Sequence, residues 1–399
     1  MHNTNLAIID SAQKRCVYQY LLLIIVKIMI MDFSTKLTEL KQNHLYRSRK
    51  VSENAQGTQL IVNGKSVLNF CSNDYLSLAN HAQVKEALKQ GVDKYGVGSG
   101  ASHLVSGHSS AHHDLEEALA DYTGQDRALL FSTGYTANLG IFSALKDELD
   151  WVLQDKLNHA SLIDGNQLIG LPIQRYLHND IASLKRKIAK QTGAGMIVTD
   201  TVFSMDGDRA NIDDLQKIAN FSNAILMQDD AHGFGVFKPN IPQNSIYMAT
   251  LGKAAGTMGA FVAGNEDFIE FLIQKSRPYI YTTAMSPAIC VATLKSLELI
   301  KKGEQKAKLR ANIDFFRNFS TALGLPIEAS NSAIQPLIIG ESEKALKISQ
   351  TLFNQGFYVS AIRPPTVPKN TARLRITLSA DHTQSQIEQL LNKIKHALH

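Results

Sequence analysis

Between Ala128 and Ala263 short apolar runs alternate with stretches of helical periodicity. The runs are Ala128 to Ser132, Trp151 to Gln154, Ile173 to Tyr176, Met196 to Thr199, Ala224 to Met227, Ser245 to Met248 and Gly259 to Ala263. Runs this short are strand candidates rather than helix candidates. Asn138 to Lys146, Ile181 to Lys190 and Asp213 to Phe221 fit helices between them. Such alternation predicts an α/β fold with a mainly parallel central sheet and helices on both faces. In sheets of this kind ligands bind outside the carboxyl ends of the strands.

Those ends carry the chemistry. The run at Ala224 delivers Asp229, Asp230 and His232, and the next run ends at Thr250-Leu251-Gly252-Lys253. An Asp-x-x-His followed by a Thr-x-x-Lys suits pyridoxal 5'-phosphate, which needs a lysine for its Schiff base and an acid to keep the pyridine nitrogen protonated. Lys253 and Asp229 are the candidates, and His232 is spaced to reach the ring hydroxyl. A solvated acidic turn and a surface lysine are the bland reading. The small neighbours Gly252, Ala254, Ala255 and Gly256 favour a cofactor cavity over it. Gly134 and Tyr135 open a helix directly after a strand, where free N–H groups suit a phosphate, or form an ordinary strand–helix junction. His159 either stacks on a pyridine ring or is structural. Ser204 either bonds the cofactor or caps a turn.

Beyond about Ser286 a long helical region to Leu323 leads to a second unit. Its strands are expected at Ala333 to Ile339, Tyr358 to Ile362 and Arg373 to Leu378, with helices at Glu343 to Gln355 and Thr383 to Leu398. This predicts a small C-terminal α+β domain. The loop Arg363-Pro364-Pro365-Thr366-Val367-Pro368 is stiff, because proline fixes φ, and suits Arg363 to grip a carboxylate. The expected organisation is an extension at 1–30, an N-terminal segment at 31–80, a large cofactor-binding α/β domain at 81–285, and a linking helix with the small domain at 286–399.

Near the start, Leu60-Ile61-Val62 and Val67-Leu68-Asn69-Phe70 flank Asn63-Gly64, a hairpin signal. Phe33 to His44 has helical spacing. Tyr20 to Met31 is apolar but interrupted by Lys27, and is shorter than the roughly 20 residues that a membrane span needs. Residues 1–30 therefore read as a non-native or disordered extension rather than an anchor. Net charge is +5 with no long basic block, which gives no reason to expect nucleic acid. Cys16, Cys71 and Cys290 are too scattered for a disulfide framework or a metal site, which suits the cytoplasm.

Taken together, NFCSNDYLSL (69–78), GVGSGASHLVSG (96–107), FSTGYTAN (131–138), NHASLIDG (158–165), VFSMDGD (202–208), DDAHGFGV (229–236), TLGKAAG (250–256) and YTTAMSP (281–287) resemble the α-oxoamine synthase family of fold-type I pyridoxal-phosphate enzymes. The resemblance runs from about Met31 to the C-terminus. SAIQPLIIG (332–340) and AIRPPTVPKNTARLRITLSA (361–380) point to its biotin-pathway branch. It implies a decarboxylating condensation of L-alanine with a pimeloyl thioester of coenzyme A or acyl carrier protein. Lys253 would carry the cofactor and move the α-proton, Asp229 would pair with the ring nitrogen, His232 with the ring oxygen, and His159 would stack on the ring. Gly134, Tyr135 and Thr250 would hold the phosphate, with Ser204 assisting the ring. Arg47, His159, Arg363 and Thr366 would face substrate. Thr283 would reach the phosphate of the other subunit in a homodimer. No metal and no membrane enter this reading. A relative such as glycine C-acetyltransferase is the alternative enzyme, and a non-catalytic subunit partner of the same fold is the alternative of another class. Two departures stand out, a short Gly235 to Thr250 segment and Ser102-His103-Leu104 in place of a more usual variant.

Overall fold

The computed structural model describes residues 18–20 and 33–398. The expectation for 1–30 lies outside the described residues, apart from 18–20. The chain divides into two compact units, Met1–Arg49 and Lys50–His399. In the first, helix α1 (Phe33–Gln42) forms where the spacing of Phe33, Leu37 and Leu40 predicts it. None of its residues is buried.

The second unit opens on the expected hairpin, β1 (Gln59–Val62) and β2 (Lys65–Asn69). Val62 pairs with Lys65, so Asn63 and Gly64 are the whole turn, and both take positive φ. That is the primed turn geometry that matches strand twist. Helices α2 (Ala82–Tyr95) and α3 (Ser110–Thr123) follow.

Seven strands then build the central sheet. They are β3 (Arg127–Phe131), β4 (Trp151–Asp155), β5 (Gln174–Tyr176), β6 (Gly195–Asp200), β7 (Ala224–Asp229), β8 (Ser245–Thr250) and β9 (Ala260–Gly264). Every one overlaps an expected apolar run. The order is β3-β9-β8-β7-β6-β4-β5. All neighbours are parallel except β9, which runs antiparallel to both β3 and β8. Two reversals cancel, so the carboxyl ends of β3, β4, β6, β7 and β8 lie on one edge. The covering helices are α4 (Gly134–Ala144), α5 (Ala160–Leu168), α6 (Ile181–Ile188), α7 (Ile212–Phe221), α8 (Glu266–Lys275) and α9 (Arg277–Ile280). Separate apolar clusters pack alternate strand residues: Leu130, Tyr247 and Phe261 in one, Leu129, Met248 and Val262 in another. This is the two-faced burial that makes such strands continuously apolar.

The expected single helical region over Ser286 to Leu323 is two helices, α10 (Pro287–Lys302) and α11 (Glu304–Ala322). They meet at Gly303, whose φ of 81° ends the first helix. The C-terminal strands are β10 (Ile334–Gly340), β11 (Phe357–Tyr358), β12 (Ser360–Ile362) and β13 (Ala372–Thr377), with helices α12 (Ser342–Asn354) and α13 (Gln384–Leu398). β10, β13 and β12 form an antiparallel sheet, while β11 pairs parallel with β2 and ties the hairpin to this half. Among the described residues, no helix is long and apolar enough to cross a membrane.

Candidate active site

A cavity of about 210 Å³ opens at the shared strand edge. Its walls include Gly134, Tyr135, His159, Ser204, Asp229, His232, Thr250 and Lys253, eight residues that the sequence singles out, together with Asn138, Ser161, Asp200, Val202, Ala231 and Met248. The sheet register explains the convergence. Asp200 and Asp229 are paired residues at the ends of β6 and β7, and Asp229 pairs with Met248 of β8, two residues before Thr250.

The two neighbouring acids separate cleanly. Asp229 lines the cavity, and its Oδ2 accepts from Asn138 Nδ2 at 2.7 Å. Its Oδ1 accepts the Ala231 N–H at 3.0 Å. Asp230 turns away, accepting from Tyr247 Oη at 2.6 Å and from Thr201 Oγ1. Asn138 is buried and also donates to Ser161 Oγ at 2.8 Å, which lies 2.7 Å from His159 Nδ1. One hydrogen-bonded chain therefore orients both Asp229 and His159. Asp200, buried beside Asp229, has its carboxyl pushed well above the usual range, first by burial and then by the Asp229 charge.

Lys253 sits on the loop between β8 and β9. That loop is pinned by Leu251 N–H to Gly259 O (2.9 Å) and Thr257 N–H to Leu251 O (3.0 Å). Burial lowers the amine to about 8, against opposing pulls from Asp229 and Asp200, and Arg375 adds to the lowering. Lys253 Nζ lies 2.9 Å from His232 Nε2, and His232 Nδ1 lies 2.7 Å from Tyr75 Oη. His232 is buried, and burial, followed by the Lys253 charge, holds its imidazole well below the usual histidine range. A neutral imidazole accepting at Nε2 must donate from Nδ1 to Tyr75. Tyr75 in turn donates to Asn73 Oδ1 at 3.1 Å. The small residues around Lys253 serve packing more than the cavity. Ala254 and Ala255 are buried, and Gly256 lies against the turn at Leu78 and Ala79.

At the far wall Thr133 caps α4, its Oγ1 accepting the Thr136 N–H at 3.1 Å. The first-turn residues Gly134 and Tyr135 face the cavity, where a helix N-terminus favours an anion. Ser204 is held through its carbonyl by Arg375 Nε at 2.6 Å.

Three expected residues of the second unit, Thr283, Arg363 and Thr366, do not line this cavity. Thr283 is exposed and bridged to Ser102. Arg363 and Thr366 lie on the turn after β12, joined by a backbone hydrogen bond of 3.1 Å. Arg47 belongs to the first unit. Three residues were missed by sequence reasoning. Asn138 and Asp200 had a signal, since each sits where an element meets the strand edge. Arg375 had none, because its partners Ser204, Asn73 and Tyr75 are far away in the chain.

The residue set fits pyridoxal phosphate. It offers a weakened amine, a buried carboxylate fixed by an amide, an imidazole over the cavity and a helix N-terminus. Among the described residues no cluster suits a metal ion.

The aminotransferase class I and II family matches residues 65–394. An 8-amino-7-oxononanoate synthase of Pseudomonas entomophila is 50% identical over 378 residues, covering 92% of this chain and 97% of its own. The Methylococcus capsulatus protein of that name is 49% identical, covering 93% and 99%. Among solved structures, a serine palmitoyltransferase with PLP bound as the internal aldimine superposes with a TM-score of 0.84 at 28% identity, covering 92% of this chain and 97% of that one. An 8-amino-7-oxononanoate synthase from Francisella tularensis gives 0.70 at 32% identity, covering 83% and 98%.

Proposed function

The chain belongs to the 8-amino-7-oxononanoate synthases within the class I and II aminotransferase family, pyridoxal-phosphate-dependent acyltransferases of biotin biosynthesis, and from this we propose that it condenses L-alanine with a pimeloyl thioester. The products are 8-amino-7-oxononanoate, carbon dioxide and the free thiol of coenzyme A or acyl carrier protein. The observation that carries the pyridoxal-phosphate chemistry is Lys253, an amine lowered to about 8 in a cavity that also exposes Asp229, and the likeness to the two synthases supports the substrate pair. A lysine so tuned is a nucleophile and a base near neutral pH.

When bound, the cofactor supplies the electron sink for a carbanion at the amino acid's α-carbon. The protein supplies the rest. Asp229, oriented by Asn138, would hold a proton on the ring nitrogen. His159 would lie on the ring, and His232 would steady the ring oxygen. Gly134, Tyr135 and Thr250 would hold the phosphate, joined by the partner subunit's copy of the Thr283 position in a homodimer. Lys253 would anchor the cofactor, then take the α-proton of alanine at Nζ and return one to the product. Arg363 would grip a substrate carboxylate, and Arg375 would add positive charge near the amine. Arg363 stands on its stiff proline loop, while Arg375 is buried and close enough for its charge to lower both Lys253 and His232. Arg47 and Thr366 complete the assignment. Free Cys71 and Cys290 support a cytoplasmic setting.

The test is purified protein with pyridoxal phosphate, alanine and pimeloyl thioester, with carbon dioxide release measured. Lys253→Ala should abolish both turnover and borohydride fixation of the cofactor. No release by the native protein, or fixation to another lysine in the variant, overturns the reading.

A further inference from the structure

Two loops bring cavity residues to the strand edge, and the His178-Asn179 pair bridges them, Asn179 giving its N–H to Asp155 Oδ2 at 2.9 Å and its Nδ2 to Asp208 Oδ2 at 2.7 Å. The loop after β4 carries His159, and the loop after β6 carries Ser204. Between them stands His178, just after β5. Its Nδ1 lies 2.9 Å from Asp155 Oδ1, and its Nε2 lies 2.8 Å from Asp208 Oδ2. Both acceptors are carboxylates, so both ring nitrogens donate and the ring is an imidazolium. We propose that His178 is a positioning residue, a charged clip between the two loops that sets where His159 and Ser204 stand across the cofactor cavity.

Each end of the clip reaches a cavity residue by a short route. Asp155 closes β4, and its Oδ1 also accepts the Leu157 N–H at 2.8 Å, shaping the turn that leads to His159. At the other end, the Asp208 carbonyl accepts the Phe203 N–H at 3.0 Å, which folds the loop back on itself. Phe203 is buried, precedes Ser204, and meets the His178 ring edge-on at 4.4 Å. The opposite side of this loop is held by β13, through Arg375 to the Ser204 carbonyl and Arg373 to the Met205 carbonyl at 3.2 Å. The loop thus has the guanidinia on one side and the imidazolium on the other. Removing the imidazolium leaves the carboxylates of Asp155 and Asp208 without the cation between them, bridged by the uncharged Asn179 alone.

This inference rests on the cofactor being held by Lys253, and borohydride fixation in the native enzyme checks that separately. The experiment compares native enzyme, His178→Gln and Asp208→Ala. It reads the visible circular dichroism of the bound cofactor, kcat and KM for alanine per bound cofactor, and Tm. For His178→Gln the dichroism should change and kcat should fall on the order of 100-fold, as for a misplacement of about 1 Å, with KM little altered. Asp208→Ala cuts the ties of both His178 and Asn179 to the Ser204 loop and should move both signals in the same direction. If His178→Gln does not fold, Asp208→Ala decides. Native dichroism and native kcat per bound cofactor in the folded variants, whatever their Tm, overturn the proposal.

Discussion

Asp229 and Asp230 are adjacent in the chain and opposite in surroundings. Asp229 faces the cavity on an amide and a backbone N–H, while Asp230 is spent on Tyr247 and Thr201. Asp229→Asn should still bind cofactor and lose most turnover, since a neutral amide no longer favours a protonated ring nitrogen. Asp230→Asn should be milder on turnover, and a fall in kcat in the reverse order would show the roles exchanged. Lys253 gives the pH dependence. Its amine, at about 8 rather than 10.5, gains its neutral, nucleophilic form as pH rises through 8. Capture of pyridoxal phosphate by apoenzyme should therefore quicken from about pH 6 to about pH 9 and then level off. Stopped-flow absorbance would show this, and a flat profile would contradict it. The linkage has a definite sign. Between about 8 and 10.5 the unfolded chain binds the extra proton, so this lysine's contribution makes the apoenzyme more stable as pH rises through that window. Lys253 and Asp229 were legible in the sequence because their strand ends are themselves legible. Arg375 was not, because a buried guanidinium is identified by partners that only the folded chain brings to it.

At the scale of elements, the loop from Leu251 to Gly259 shows what a run of small residues can mean. Gly256 has φ +68°, and a Cβ there would come within 2.3 Å of the Ala79 nitrogen. The turn it meets is itself rigid, with Asp74 accepting the N–H groups of Leu78 at 2.9 Å and Ala79 at 3.2 Å. Gly256→Ala should cost about 2–3 kcal/mol or more, combining a strained backbone with a backbone clash. Gly252 is exposed, and a Cβ there meets nothing nearer than 3.8 Å, so Gly252→Ala should stay within about 0.5 kcal/mol. Urea midpoints of the two variants check the contrast, and equal midpoints would refute it. The sequence signal around Lys253 was therefore sound in position and incomplete in cause. The same holds elsewhere. All seven central strands were visible because both faces of such a sheet are buried, which leaves unbroken apolar runs. Helix α5 was not foreseen, because it starts at a cap made by His159 and has no clear apolar face of its own. The break at Gly303 was hidden in a long periodic stretch, and the pairing of β11 with β2 joins segments from opposite ends of the unit.

Across the whole molecule, the central sheet and the C-terminal half do different work. The sheet edge holds what any enzyme using this cofactor requires, and the serine palmitoyltransferase structure, at 28% identity, shares that fold. Acyl and amino-acid choice is expected from groups outside that edge, Arg47 near the start of the chain and the residues of the C-terminal half. There β13 sends Arg373 and Arg375 to the Phe203 to Asp208 loop, and Arg363 and Thr366 stand on the turn after β12. The similarity at 50% identity extends over 97% of the Pseudomonas entomophila 8-amino-7-oxononanoate synthase, so it takes in this half as well as the sheet. The expected outcome is a preference for L-alanine with a pimeloyl thioester over glycine with acetyl-CoA. The two halves of that preference differ in size. One methyl in a small apolar recess is worth about 1–3 kcal/mol, so glycine should remain a weak competitor of alanine. The long acyl chain offers far more surface, and acetyl-CoA should be turned over poorly. Measuring kcat/KM for both substrate pairs on one preparation separates the two effects. A clear preference for glycine with acetyl-CoA would overturn the substrate assignment and leave the proposed roles of Lys253 and Asp229 standing, because either substrate pair would call on the same amine and carboxylate.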